Sequence, residues 1–266
     1  MIRDMKIAVA ILLGCTATLT ASAGLPIGGE IVAVASKASD DYIRAKSANG
    51  SFQPETYAFG EGGTISGPYV NHSIDDLKFM DLARLIAIPL ATQQYLPSHD
   101  PAQTKLLIMV YWGTTTGARE DPSLNLDPAT PADGYVLDRQ NVRLAPILGY
   151  DSAIADGFRY RGTALEFITK DLFEELAYNR YFVVLMAYDF QLMWREKKHK
   201  LLWETRFSIS ERGNAFDEQL PGMVLDASRY FGRDSHGLVH KTMPEGRVDL
   251  GELNILGVIP EKKEEK

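Results

Sequence analysis

Asp189, Gln191, Glu204 and Arg206 interrupt two neighbouring apolar runs, 181–194 and 201–210. Two carboxylates, an amide and a guanidinium on one sheet face would offer donors and acceptors to a partner, or a carboxylate pair for acid–base work. The plainer reading is the wet face of a sheet whose other face is core. His236 and His240 are four apart beside Asp234 in "DSHGLVH" and on a helix would share a metal. Gly237 weakens a helix there and no H-E-x-x-H glutamate supplies a base, so a surface segment is expected. Asp121, Asn125, Asp127 and Asp133 are oxygen donors of the kind calcium takes, but their spacing is not that of an EF-hand. A solvated loop is expected there, and no metal or cofactor.

Other chemistries lack their signatures. "GYDSA" at 149–153 misses the G-x-S-x-G of a nucleophile elbow. Gly60, Gly62, Gly63 and Gly67 come without the Gly-Lys-Ser/Thr that cradles phosphates, so they read as a plain turn. No catalytic residue is assigned. The basic run "REKKHK" at 195–200 would meet anionic polymer or lipid headgroups, though such a run more often keeps a hairpin tip soluble. Asn49-Gly50-Ser51 and Asn71-His72-Ser73 fit the glycosylation sequon.

The N-terminus reads as an export signal. Arg3 and Lys6 precede a mostly apolar stretch from Ile7 to Leu19, and Ala21-Ser22-Ala23 offers small residues to a signal peptidase. Cleavage after Ala23 would leave Gly24 first. It would remove Arg3, Lys6 and Asp4, a net +1, and take the formal charge from −7 to −8, which disfavours nucleic acid as a partner. The alternative is lipidation: Cys15, the only cysteine, sits in "LLGC", similar to a lipobox, although the apolar run before it, Ile7–Leu13, is short. Either way the protein is expected to be exported, periplasmic or secreted, or else anchored as a lipoprotein. A mature chain without a cystine must be held together by packing.

At 266 residues, with 45% hydrophobic and 24% charged residues, the composition is that of an ordinary globular chain. One α+β domain is expected over 24–260, with a loop-rich insertion around 114–162 and a charged tail at 261–266. "IVAVAS" reads as a short strand or arm, and "ETYAFGEGGTISG" as a strand running into a glycine-rich turn. Ser73 and Asp76 resemble a capping box opening a helix that Pro89 should kink or end. "KLLIMVYWG" at 105–113 has the length and apolarity of a buried strand. Leu165, Ile168, Leu172, Phe173 and Leu176 mark one helix face, and another helix spans about 214–231 up to Gly232.

The loudest stretch is "YFVVLMAYDFQLMWREKKHKLLWETRFSIS", 181–210. Its even positions from Phe182 to Trp194 are all apolar; the odd ones turn polar at Asp189 and Gln191. Alternation therefore predicts one long strand, covered on both faces in its first half and on one in its second. The next strand alternates Leu201, Trp203, Thr205, Phe207 and Ile209 against Leu202, Glu204, Arg206, Ser208 and Ser210. Matching the two apolar sets pairs Trp194 with Leu201, Leu192 with Trp203, Phe190 with Thr205 and Tyr188 with Phe207, and sets Asp189 opposite Arg206. Arg195–Lys200 is then the loop. A membrane-spanning hairpin is not expected, because a barrel needs many such strands closed on themselves.

In order, "ETYAF", the following helix, "TKLLIMVYW" and "KLLWETRFSIS" resemble a group of uncharacterised bacterial envelope proteins, often lipoproteins. The resemblance implies an α+β fold in the periplasm or at the outer membrane, with no established catalytic residues and no known activity. An unknown envelope component or protein is expected as partner because an export signal comes without a catalytic signature. The fold expected is a single mixed or mainly antiparallel sheet with helices packed mainly on one face. The function expected is a non-enzymatic binding or structural role, with an exported hydrolase as the alternative.

Overall fold

The computed structural model describes residues 31–66, 74, 77–121, 143–159, 162–163 and 166–243. Residues 1–30, where the export signal is expected, Ser73, most of the acidic loop and everything after Met243 lie outside the described residues. Seven strands form one sheet: β1 (Ile31–Ala38), β2 (Glu55–Ser66), β3 (Tyr95–Pro97), β4 (Leu106–Thr114), β5 (Arg180–Asp189), β6 (Leu201–Ser210) and β7 (Leu238–Thr242). Their spatial order is β3-β2-β4-β5-β6-β1-β7. β2 runs parallel to β3 and β4, and every other pair is antiparallel. The helices are α1 (Phe79–Thr92), α2 (Asp151–Phe158), α3 (Glu166–Leu176), α4 (Phe190–Glu196) and α5 (Phe216–Ser228), with a further helical turn at 143–148. The fold is α+β.

Alternation along each strand builds two cores. Leu106, Ile108, Val110 and Trp112 of β4, Tyr181, Val183, Leu185 and Ala187 of β5, and Trp203, Phe207 and Ile209 of β6 face α1 and α5 in the larger one. Rings lock this layer: Tyr181 stacks on Phe216 with centroids 5.0 Å apart, and Trp203 on Phe231 at 6.1 Å. The opposite face carries a smaller core, in which Ala33, Phe182 and Val184 meet Leu144, Leu148, Tyr150, Ile154, Leu172 and Leu176. The first half of β5 is thus covered on both sides, as its unbroken apolar run predicts.

Three local expectations are corrected. The helix expected from Ser73 begins at Phe79 and passes through Pro89 to Thr92, and Lys78 at its N-cap makes no side-chain cap bond. The glycines after Phe59 do not turn the chain but continue β2 to Ser66, with a bulge between Glu61 and Gly63. Their smallness makes room for the neighbouring strand: a Cβ on Gly60 would lie 2.4 Å from Met109 Sδ, and one on Gly62 2.5 Å from the Tyr111 ring.

The hairpin differs most. β5 ends at Asp189, and α4 occupies what alternation read as its second half. The Asp189 carboxylate accepts from the Leu192 backbone N–H at 2.9 Å, satisfying a donor the first helical turn leaves open. Phe190 and Trp194, four apart, bring their rings to 6.2 Å, a helical spacing. Pairing therefore shifts. Arg206 lies opposite Val184, Glu204 opposite Met186, Trp203 opposite Ala187 and Leu201 opposite Tyr188, in place of the register that set Asp189 against Arg206 and Trp194 against Leu201. It is the odd-numbered residues of both strands that share the main core.

Candidate functional site

The second face of the sheet is only partly covered, and the polar residues of β6 lie on it. Neighbouring rows place Glu204 beside Met186 and Lys37, and Arg206 between Val184 and Ala35. Where α2 stops short of covering them, a cleft of about 420 Å³ opens, bounded by Ser36, Lys37, Gly149, Asp151, Ser152, Asp156, Glu204, Arg206 and residues 234–237. A second cleft of about 410 Å³ shares Lys37 and Glu204 with it and extends toward Asp40 and Leu201. The first, whose lining is mainly polar, is the polar trough; Lys37 and Glu204 border both clefts.

Its walls follow from local backbone rules. Gly149 joins the 143–148 turn to α2 with φ +81°, the left-handed region that favours glycine. A Cβ there would lie 2.5 Å from the Ala35 Cβ, so only glycine lets the chain come down onto β1 beside Arg206. The opposite wall, 234–237, is tied to β1 just past the end of the β1–β7 pairing. The Ser235 hydroxyl accepts from the Ser36 N–H at 2.9 Å, and the Ser235 N–H donates to the Ser36 carbonyl at 2.9 Å. Ser36 is itself anchored, its hydroxyl within 2.9 Å of the Tyr230, Arg233 and Glu204 carbonyls.

Within the trough Arg206 forms an ion pair with Glu204, each side chain 21% exposed. Its Nε–H is buried with no hydrogen-bond partner among the described residues. A buried donor left unmade costs about 1–3 kcal/mol, and such groups in folded proteins usually meet water or a ligand. Asp151, Asp156, Asp234 and His236 ring the mouth. Asp156 is paired with Arg159 at 3.1 Å, and Asp234 accepts the His236 N–H at 2.6 Å.

The four residues singled out by sequence therefore separate. Glu204 and Arg206 line the trough. Asp189 is the N-cap of α4, and the Gln191 amide donates to the Pro101 and Thr104 carbonyls at 2.8 and 2.7 Å, bracing the turn before β4. The face expected to carry function joined odd positions of β5 to even positions of β6, and those lie on opposite sides of the sheet. His236 and His240 separate too. His236 sits in the 234–237 wall with φ +56°, while His240 belongs to β7, so helical spacing does not apply. Among the described residues no group of three or more metal-ligating side chains gathers, and no helix is long and apolar enough to cross a membrane.

Beside the trough is a constellation that no sequence motif announced. One oxygen of Glu175, on α3, accepts from the Tyr150 hydroxyl at 2.5 Å and lies 3.0 Å from His240 Nε2 and 3.8 Å from Arg180 Nη1. Burial pushes the Glu175 carboxyl up, but hydrogen bonds from His240 and Tyr150 and the Arg180 charge outweigh it and hold it below its ordinary value. Burial, opposed by the Arg180 charge and helped by the Glu175 carboxylate, pushes the Tyr150 phenol well above its own. Arg180 is held in turn by the Ser208 hydroxyl at 3.1 Å. The members come from four elements and the α2 junction, which is why spacing along the chain could not join them.

No protein-family model matches the chain, and no curated protein matches it. Among solved structures it is similar to a PDZ domain protein from Parabacteroides distasonis, at 14% identity and a TM-score of 0.40. That similarity covers 80% of this chain and 39% of the other, so this chain spans less than half the length of that protein.

Proposed function

We propose that the protein is an exported envelope or secreted protein that binds a hydrophilic partner through the polar trough on the second face of its sheet, without chemistry of its own. The observation that carries this reading is the Arg206 Nε–H, buried and without a hydrogen-bond partner among the described residues, beside a cleft lined by carboxylates, serines, Lys37 and His236. A guanidinium with a spare donor suits a carboxylate or carbonyl acceptor, and Asp151 and Asp234 suit amide or ammonium donors. Two adjoining clefts fit an extended chain such as a peptide or glycan strand of the envelope better than a compact cofactor. Export rests on the leader, Met1–Ala23, with its small-residue site.

Sedimentation with lipid-extracted cell-envelope material tests the binding. Saturable retention that falls at least tenfold in Arg206→Ala is expected; loss of one charge-assisted hydrogen bond is worth about that factor. No retention, or retention untouched by Arg206→Ala and Asp151→Asn, would overturn it. Mass measurement of the mature N-terminus tests export: Gly24 marks cleavage after Ala23, a diacylated Cys15 marks the lipoprotein alternative, and an intact Met1 contradicts both.

The hydrolase reading keeps one observation in its favour. His240, with its side chain 35% exposed, is held at 3.0 Å by the Glu175 carboxylate, which orients the imidazole as a carboxylate does in general-base sites. Among the described residues no serine, threonine or cysteine hydrogen-bonds that ring. Hydrolysis of peptide or ester substrates that vanishes in His240→Ala would establish this reading over the first.

A further inference from the structure

The tip of the β5–β6 hairpin presents a different surface. Trp194 is 44% exposed, whereas the other two tryptophans, Trp112 and Trp203, are buried at 3% and 1%. Around it stand Arg195, Lys197, Lys198 and Lys200, with Glu196 in the turn itself and Asp41 and Asp189 near Lys200, in a chain whose formal charge is −7. Lys197 closes α4 in the left-handed conformation, φ +57°, and its ammonium reaches the Trp194 carbonyl at 3.2 Å, keeping cation and indole together. The loop after β1 lies against the same end of the sheet, because the Ser39 N–H donates to the Leu202 carbonyl and Asp41 pairs with Lys200. That loop carries Ile43, the most exposed large apolar residue described, at 84%.

An indole and an isoleucine held in water at one end of the molecule, interleaved with cations, is the composition of a surface that settles into a bilayer interface. We propose that this end of the protein, through Trp194, Ile43 and the lysines of the turn, docks peripherally on the surface of an anionic phospholipid bilayer. Charge complementarity selects the occupant. The body of the protein is acidic, but charges more than about 8 Å from the contact are screened at physiological salt, so a tip can approach a surface that the whole molecule would avoid. A soluble polyanion would satisfy the lysines and leave Ile43 and Trp194 in water; a bilayer takes both. The Lys198–Glu196 and Lys200–Asp41 pairs are exposed, and exposed pairs hold weakly enough to be exchanged for headgroup phosphates. The tip lies beyond the far end of the trough, so docking leaves the Arg206 cleft open.

The test is co-sedimentation of the full chain with phosphatidylcholine vesicles, with and without phosphatidylglycerol, read together with tryptophan emission. Because Trp112 and Trp203 are already buried, a blue shift reports Trp194. The expected result is partition onto the anionic vesicles with a blue shift and loss at high salt. Trp194→Ala should weaken it about tenfold. Lys197→Ala with Lys198→Ala should weaken it roughly twentyfold, since each cation near such a surface contributes about fivefold. Both variants alter exposed side chains and should melt like the parent, and comparing variants cancels any affinity of residues 1–23. Absence of partition, equal partition onto neutral vesicles, binding without a blue shift, or binding unchanged in both variants would each overturn the proposal. So would tighter binding to soluble polyphosphate than to the vesicles.

Discussion

The two faces of the sheet are finished differently. The face under α1 and α5 is closed by apolar side chains from six strands, β1–β6. The other is closed by aliphatic residues from the 143–148 turn, α2 and α3 over one part, and continues past them as a polar trough and a buried ionic cluster. The contrast is one of closure: one face is sealed by apolar side chains, and the other runs on into a polar cleft and an oriented carboxylate.

Perturbing the two faces should give effects of different kind as well as size. On the closed face Trp203→Ala removes an indole packed against Phe231 and Tyr95, and should cost about 3–5 kcal/mol in urea unfolding. A loss under about 1 kcal/mol would mean that this face is not the dominant core. On the open face Glu175→Gln should cost about 1–3 kcal/mol at neutral pH, because Tyr150, His240 and Arg180 lose a charged acceptor. The sign of its pH dependence follows from the lowered Glu175 pKa. The carboxylate's contribution is fully present above the unfolded value near 4.5 and is lost as pH falls through the lower folded value. Wild type and Glu175→Gln should therefore converge in stability below about pH 4.5. A gap that stayed constant there would break the assignment.

At the boundary between fold and surface, Asp189→Ala deletes the cap of α4 and should cost about 1 kcal/mol. Amide exchange should quicken at Leu192, whose N–H loses its acceptor. If Asp189 instead belonged to the trough, envelope binding would fall and α4 exchange would not change.

The comparison also shows which parts of the molecule could be read from residue order. Strand periodicity in Leu201–Ile209 and the apolar runs Tyr181–Ala187 and Leu106–Trp112 report burial directly, so the single mixed sheet was legible, but not which residues of β5 join the main core. Alternation put the even-numbered ones beside Trp203 and Phe207, and the odd-numbered ones are there. Nor was the hairpin register legible. Apolar residues at 188, 190, 192 and 194 satisfy a period of two, yet Phe190, Met193 and Trp194 satisfy a helical period equally well, and Asp189 with its capping carboxylate decides between them. Aspartate is a favoured N-cap residue, but alternation accounts for more of the residues around it. Glu204 and Arg206 were placed on the right kind of surface because β6 alternates to its end. Tyr150, Glu175, Arg180 and His240 left no local trace, since what joins them is the antiparallel return of β5 beneath α3 and the attachment of β7 to β1.

The account rests on the open face binding while the closed face supports. The most direct measurement is retention on lipid-extracted envelope material of wild type, Arg206→Ala and Trp194→Ala, each with its unfolding free energy. The account predicts that Arg206→Ala still unfolds in a cooperative transition and loses retention at least tenfold, while Trp194→Ala keeps it. Retention equal in wild type and Arg206→Ala, at equal stability, would contradict it.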